Sequence, residues 1–215
     1  MDSMNLQQLF NAGKIIEFNK PTVVLASASP RRARLLSDAS IDFVQIVSTV
    51  DDTILNQKFP HDGITKAMAT NYAKAMALAK LQPFKGKIVN GVVITADTCI
   101  YCDGRILEKP LTIEKCRAQH AFISGKTNIN LTAYAVYYNG KVLAAVMPTN
   151  VFVKELPNDV IEVICIEPEI LDCAGYRNQG QINPYLVFDK TETDNLTGLH
   201  VPFVQKMLNK LGFSI

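Results

Sequence analysis

The sequence contains no apolar run that approaches the ~20 residues a helix needs to cross a bilayer. Its opening stretch, MDSMNLQQLFNAGKIIEF, carries charges where a secretory signal peptide needs a continuous apolar segment. These two absences argue against a membrane protein and against a secreted one. We therefore expect a cytoplasmic location and no membrane partner.

The sequence also lacks an excess of charge of one sign and an even set of cysteines. The 22 Lys and Arg residues are nearly balanced by 20 Asp and Glu residues. The chain therefore lacks the excess of positive charge that binds a long nucleic acid. Local clusters can still bind small anions. The five cysteines belong to a chain of 215 residues, which is long enough to bury a core without disulfides. We expect reduced thiols in a reducing compartment.

Alternating strand-like and helix-like segments predict an α/β fold with a mixed sheet. Apolar character becomes concentrated only at Val23, so residues 1–20 are predicted to be a polar extension and residues 21–215 a single domain. Asp103-Gly104 and Asn139-Gly140 are typical of β-hairpin turns. Strands are predicted near 23–25, 43–47, 92–95, 99–101, 105–107, 128–138, 142–153 and 185–188, and helices near 30–38, 62–81, 112–123, 158–166 and 199–211.

The first candidate site is the segment Leu25-Ala26-Ser27-Ala28-Ser29-Pro30-Arg31-Arg32, in which a predicted strand leads directly into a helix. Free backbone N–H groups and the positive end of the helix dipole point outward from such a turn, beside two hydroxyls and two guanidiniums. This combination is typical of a phosphate-binding site. The pattern is equally compatible with a serine N-cap followed by a solvated basic turn.

The second candidate is Asp97, which follows an apolar strand in Thr95-Ala96-Asp97-Thr98. Open α/β sheets bind ligands at the carboxyl ends of strands, so this carboxylate is placed to act as a general base or metal ligand, although a turn-forming aspartate has the same pattern. Asp51-Asp52, Lys74 and Lys109 add oxygen ligands and positive charge. Mg²⁺ needs only one or two carboxylates beside the substrate phosphates. Each of these charged residues is also compatible with a plain surface position.

Three other patterns do not support a site. Gly125-Lys126-Thr127 resembles the end of a P-loop, but His120 occupies the first glycine position and the segment follows a helix. Cys99 and Cys102 have CxxC spacing, yet residues three apart on a strand face opposite sides, and no second pair follows. The three histidines are widely scattered and give no support for a nucleophilic triad.

Five segments occur in a fixed order along the chain. They are LASASPRRARLL at 25–36, ITADTCIYCDGRILEKP at 94–110, SGKTNINLTAY at 124–134, LDCAGYRNQG at 171–180 and TGLHVP at 197–202. Together they resemble the Maf family of nucleotide pyrophosphatases over most of the chain after residue 20. The resemblance implies a long curved mixed sheet flanked by helices, two lobes around a cleft, and often a homodimer.

The resemblance also implies a chemistry. A nucleoside triphosphate is hydrolysed to the monophosphate and pyrophosphate with a divalent metal cation, Mg²⁺, Mn²⁺ or Co²⁺. By position in the matching motifs, Asp97 is the proton acceptor and, with Asp52, a metal ligand, whereas Lys74 and Lys109 are the lysines of the cleft. The implied substrate-binding residues are Ser27, Arg31, Arg32, Thr98 and Gln179.

The resemblance leaves the substrate open. Arg32, Thr98 and Gln179 match the group that acts on dTTP and UTP, whereas Cys173 after Asp172 looks more like the group that acts on 7-methyl-GTP. A second alternative is a nucleotide-binding regulator of cell division that has lost catalysis. Departures from the family pattern are Asp52 in place of glutamate, Asn128 in place of histidine, a segment near 176–178 that is one residue short, and His200-Val201 in what is usually Gly-Leu-Pro.

Overall fold

A computed structural model of the protein describes residues 5–51 and 57–213. In this part of the chain, seven strands form one open mixed sheet flanked by seven α-helices. None of these helices is both long enough and apolar enough to span a bilayer. The strands are β1 (Ile16–Leu25), β2 (Phe43–Gln45), β3 (Ile88–Cys102), β4 (Arg105–Leu107), β5 (Thr127–Tyr138), β6 (Lys141–Val153) and β7 (Leu186–Val187). The helices are α1 (Leu6–Asn11), α2 (Pro30–Asp38), α3 (Lys66–Leu81), α4 (Ile113–Ile123), α5 (Asn158–Cys165), α6 (Thr193–Thr197) and α7 (Val201–Lys210).

The sheet confirms the predicted α/β class and both predicted hairpins. Its order is β2-β1-β3-β5-β6-β7, with β4 paired to β3. β1 is parallel to β2 and β3, and all other pairs are antiparallel. Asp103 and Gly104 turn β3 into β4 with φ angles of 47° and 84°, and Asn139 and Gly140 turn β5 into β6 with 47° and 78°. Such positive φ angles are the reason why Asp-Gly and Asn-Gly favour tight hairpins.

Three hydrophobic clusters surround the long strands β3, β5 and β6. α3 covers one face of the sheet with the first cluster, and α7 covers the opposite face with the second. α4 and α5 bury the third cluster at the far end of the same strands. Along β3, Cys99 belongs to the first cluster and Ile100 to the third. Asp97 and Thr98 therefore lie beside the point where the two parts of the core meet.

The N-terminal segment corrects one expectation. β1 begins at Ile16 rather than at Val23, and Phe10 of α1 is buried against Phe84 with 4.2 Å between the ring centroids. The described part of residues 1–20 is thus packed onto the domain. The first part of β1 was not predicted because the pairing of β1 with β3 shifts register between Glu17 and Thr22. This irregularity interrupts the alternation of apolar residues that marks a strand.

Candidate active site

The candidate active site is a cavity of about 310 Å³ beside the end of β1. β1 is parallel to β3 and its last residue, Leu25, pairs with Ile94, so the turn after β1 lies next to the following residues of β3. This register brings the basic turn and Asp97 to one cavity, as the sequence predicted. The residues that line it include Ser29, Arg31, Arg32, Lys80, Asp97, Thr98, Lys109, Asn130, Asp172, Cys173, Tyr176, Arg177, Asn178, Thr197 and Gly198.

The turn after β1 is held by its own hydroxyls. Ser29 is the N-cap of α2, and Pro30 is its first residue. A backbone N–H at this position would have no acceptor within the helix, so proline costs no helical hydrogen bond there. Ser27 Oγ accepts hydrogen bonds from Ser29 N at 3.2 Å and from Arg32 Nη1 at 3.1 Å. Ser27 is buried and borders an adjoining cavity that Arg32 and Lys80 also line. Its hydroxyl therefore orients Arg32 within the turn.

Two adjacent arginines line the cavity in different ways. Arg32 is partly buried, donates from Nε to the Gly198 carbonyl oxygen at 2.9 Å, and places Nη2 3.5 Å from Thr98 Oγ1. Arg31 is exposed and lies close to Cys173. Burial raises the pKa of the Cys173 thiol, and the positive charge of Arg31 opposes that rise. The cavity thus contains one cation fixed by the fold and a second that faces solvent.

Asp97 forms an ion pair with Lys80 inside the cavity. Lys80 Nζ lies 2.6 Å from Asp97 Oδ1, and the two side chains are 17% and 14% exposed. Breaking this ion pair would leave two largely buried charges without partners, which costs free energy. The pair therefore holds both side chains in defined orientations. Asp97 also borders a neighbouring cavity that contains Lys109. The carboxylate therefore combines a fixed position with access from solvent.

Lys74, predicted to be a lysine of the cleft, does not line any of the cavities that border Asp97. It lies exposed on α3, whereas Lys80 of the same helix contacts the carboxylate. Six residues of an α-helix correspond to about one and two-thirds turns, so the two lysines point in different directions. The structure thus places Lys80 rather than Lys74 beside Asp97, and neither the helical pattern nor a motif in the sequence marked which lysine of α3 faces the sheet.

Three other predicted residues lie in or beside the cavity, and one cannot be placed. Lys109 and Thr98 line it. Gln179 is exposed and stands behind the wall, where its Nε2 donates to Thr197 Oγ1 at 3.0 Å, and Thr197 does line the cavity. Asp52 lies outside the described residues, so its part in metal binding stays a prediction.

A second wall of the cavity, formed by residues 172–178 and 197–198, contains residues that the sequence analysis did not assign. The Tyr176 hydroxyl donates to Asn128 Oδ1 and accepts from Asn130 Nδ2, both at 2.9 Å. Both asparagines are buried, and their spacing of two puts them on one face of β5, which is a signal visible in the sequence. Asp172 supplies a second carboxylate to the cavity. Asn178 borders the cavity as well and donates to Thr197.

A buried asparagine on α6 positions part of this wall. Asn195 Oδ1 accepts from the Tyr134 hydroxyl at 2.6 Å, and its Nδ2 donates to Thr149 Oγ1 at 2.8 Å and to the Met147 carbonyl oxygen at 3.1 Å. The backbone oxygen of Asn195 accepts from Thr132 Oγ1 at 3.0 Å. These bonds tie α6 to β5 and β6. Because α6 is followed by the glycine whose carbonyl accepts from Arg32, the network also supports the cavity.

We expect Asn195→Ala to lower the free energy of unfolding by roughly 3 kcal/mol, because the buried Tyr134 hydroxyl loses its acceptor, and Thr149 Oγ1 and the Met147 carbonyl oxygen each lose a donor. The matched control is Asn209→Ala, on the exposed face of α7, which is expected to change stability by less than about 0.5 kcal/mol. Urea denaturation followed by circular dichroism measures both. Equal stabilities of the two variants would show that the network does not hold α6 in place.

Comparison with known proteins identifies the family of this chain. The family described as Maf-like protein matches residues 22–211. A dTTP/UTP pyrophosphatase of Pyrococcus abyssi is 32% identical over 192 residues, which cover 89% of this chain and 96% of that protein. A protein of the same name from Halalkalibacterium halodurans is 33% identical over 194 residues, which cover 89% and 97%. The chain therefore belongs to the Maf-like protein family.

Proposed function

We infer that the protein hydrolyses a nucleoside triphosphate to the monophosphate and pyrophosphate, with dTTP and UTP as its substrates. The observation that carries this conclusion is the shared cavity, which is lined both by the cations of the α2 turn and Lys109 and by the carboxylate of Asp97. A triphosphate needs the cations, and hydrolysis needs a proton acceptor. The names of the relatives from Pyrococcus abyssi and Halalkalibacterium halodurans support both the reaction and the pyrimidine substrates.

Each charged group of the cavity has a separate part in the proposed reaction. Arg31 and Arg32 bind the phosphates, which also meet the N-terminal end of α2. Asp97 orients the attacking water and takes its proton. Lys80 keeps the carboxylate in place through the ion pair. Lys109 stabilises the negative charge that collects on the departing pyrophosphate.

The residues of the cavity also fit a divalent cation. Asp97 and Asp172 both offer carboxylate oxygens to the same cavity, and Mg²⁺ is commonly held by one or two carboxylates together with substrate phosphates. We propose that these two residues and Asp52 hold a Mg²⁺, Mn²⁺ or Co²⁺ ion. When bound, the ion neutralises charge on the triphosphate.

The second wall of the cavity, formed by residues 172–178 and 197–198, is proposed to bind the nucleobase. It presents amide and hydroxyl groups from Asn178 and Thr197, and Gln179 supports Thr197 from behind. Thr98 contacts Arg32 at the boundary between this wall and the phosphate turn. Neutral hydrogen-bonding groups suit the amide-like edge of thymine or uracil. The cationic ring of 7-methyl-guanine would gain more from a carboxylate, but the carboxylate of this wall, Asp172, is assigned to the metal ion in this proposal.

A substrate screen with product identification tests the function. The purified chain is incubated with dTTP, UTP, CTP or 7-methyl-GTP and with Mg²⁺, Mn²⁺ or Co²⁺, and products are separated by ion-exchange chromatography. We expect monophosphate and pyrophosphate, with kcat/KM for dTTP and UTP at least about 10-fold above that for CTP or 7-methyl-GTP, since an unpaired polar group in the site costs ~1–3 kcal/mol. Diphosphate and phosphate as products would contradict the proposed bond cleavage. Binding of dTTP without turnover would favour a regulatory role instead.

A further inference from the structure

A cluster of three metal-binding side chains lies away from the active-site cavity. Cys116 and His120 are one helical turn apart on α4, and Cys165 is the last residue of α5. One potential ligand atom of each residue lies within 4.8 Å of those of the other two. None of the three lines the cavity of Asp97.

Burial and hydrogen bonding suit these side chains to a metal ion. Cys116 and His120 are fully buried, and Cys165 is 2% exposed. His120 Nδ1 lies 2.9 Å from the Cys116 carbonyl oxygen, and His120 Nε2 is buried without a hydrogen-bond partner among the described residues. Metal-binding histidines commonly donate one ring N–H to a carbonyl oxygen and use the other nitrogen as the ligand.

We propose that Cys116, His120 and Cys165 bind a zinc ion that ties α4 to α5. Two thiolates and a neutral imidazole reduce the net charge of the Zn²⁺ site to zero, as burial demands, whereas a univalent cation would leave a negative charge in the core. Two Zn–S bonds and one Zn–N bond form, and both thiol protons pass to solvent. The described residues offer three ligand atoms in this cluster, so the fourth position of a four-coordinate site is left to a non-protein ligand.

The location indicates what the ion contributes. The chain leaves α5 at Cys165 and continues towards residues 172–178, which form part of the second wall of the cavity. In that segment, Glu167 accepts a hydrogen bond from the Gln181 backbone N–H and lies 4.0 Å from Arg177, which lines the cavity. A zinc ion at the end of α5 therefore fixes the base of this wall, at a distance from substrate.

Metal analysis of the full-length protein tests the site. The purified chain is loaded with Zn²⁺, passed over a desalting column with a weak chelator, and analysed by atomic emission. We expect about one zinc ion per chain, retained equally by Asp97→Asn, because the cluster is independent of the active-site carboxylates. Cys165→Ala is expected to lower the zinc affinity more than about 100-fold, since even outer-shell partners of a metal are worth 10–100-fold.

Cys102→Ala is the matched control, because Cys102 is a buried thiol of the same hydrophobic cluster and does not belong to the three-residue site. It is expected to retain zinc.

Replacement of zinc by Co²⁺ in the wild-type chain adds a readout that needs no variant: thiolate-to-cobalt charge-transfer absorption appears only if sulfur binds the metal. Absence of that absorption, equal zinc retention by the two alanine variants, or a disulfide between Cys116 and Cys165 in the purified protein would overturn the proposal. Thermal melts with and without chelator distinguish loss of metal from loss of folding.

Discussion

Replacement of Asp97 by asparagine is expected to lower kcat for pyrophosphate release by about 10²–10⁴-fold, the usual contribution of a positioned proton acceptor. The substitution keeps the shape of the side chain and an oxygen that can accept from Lys80, so the local structure is retained while the base is lost. KM is expected to change less than about 10-fold, because Arg31, Arg32 and Lys109 still bind the phosphates. Steady-state kinetics with dTTP and a pyrophosphate-coupled assay give both parameters.

The matched control for this variant is Asp38→Asn. Asp38 is an exposed carboxylate at the end of α2, where it pairs with Arg34 on the surface of the helix. Wild-type kinetics are expected for this control. Should the Asp97 variant turn over dTTP at the wild-type rate, the choice of base would be wrong, even if the protein itself releases pyrophosphate.

Lys80→Met is expected to lower kcat/KM by on the order of 10²-fold, comparable with the loss of one preorganised electrostatic contact in an active site. Methionine fills a similar volume but leaves the Asp97 carboxylate, which is only 14% exposed, without this cationic partner. The same change is expected to lower the free energy of unfolding by about 1–3 kcal/mol, since a shielded charge loses its partner. Kinetics measured below the melting temperature separate the two effects.

Lys74→Met provides the control on the same helix. Lys74 is exposed and does not line the cavity, so we expect kcat/KM to stay within about 2-fold of the wild-type value and stability within about 0.5 kcal/mol. This pair of variants tests the assignment of the cleft lysine directly. A loss of activity in Lys74→Met with normal activity in Lys80→Met would restore the choice that the sequence first suggested.

Elements that depend on local interactions were predictable from the sequence. The long helix was expected from its periodic apolar residues, and its actual start at Lys66 follows Thr65, whose side chain caps the helix. The two hairpin turns followed from Asp-Gly and Asn-Gly, whose backbone preference is intrinsic. The N-cap at Ser29 and the basic residues after it were both foreseen, and the structure shows that Ser29 caps α2 while Arg31 and Arg32 line the cavity.

Elements that depend on distant partners were missed or misjudged. β3 was expected as two separate strands, 92–95 and 99–101, but it is one strand that runs from Ile88 to Cys102 through Asn90, which has a positive φ of 60°, and Gly91. Neither Asn90 nor Gly91 favours a strand by itself; pairing with β1 spans this part of β3, and β5 pairs with β3 from Val93 onward. Cys116 and His120 of α4 were given no site, because their proximity to Cys165 arises only when α4 packs on α5.

The sequence by itself determined most of the order of strands and helices and the basic turn before α2, because each follows from the preferences of neighbouring residues. Only the tertiary structure decided that Lys80 rather than Lys74 forms an ion pair with Asp97. It also decided that the Tyr176 hydroxyl forms hydrogen bonds with two asparagines of β5 in the second wall of the cavity. The physical reason is that helical periodicity offers several faces, and packing against the sheet selects one of them. Contacts between residues far apart in the chain form only after that selection.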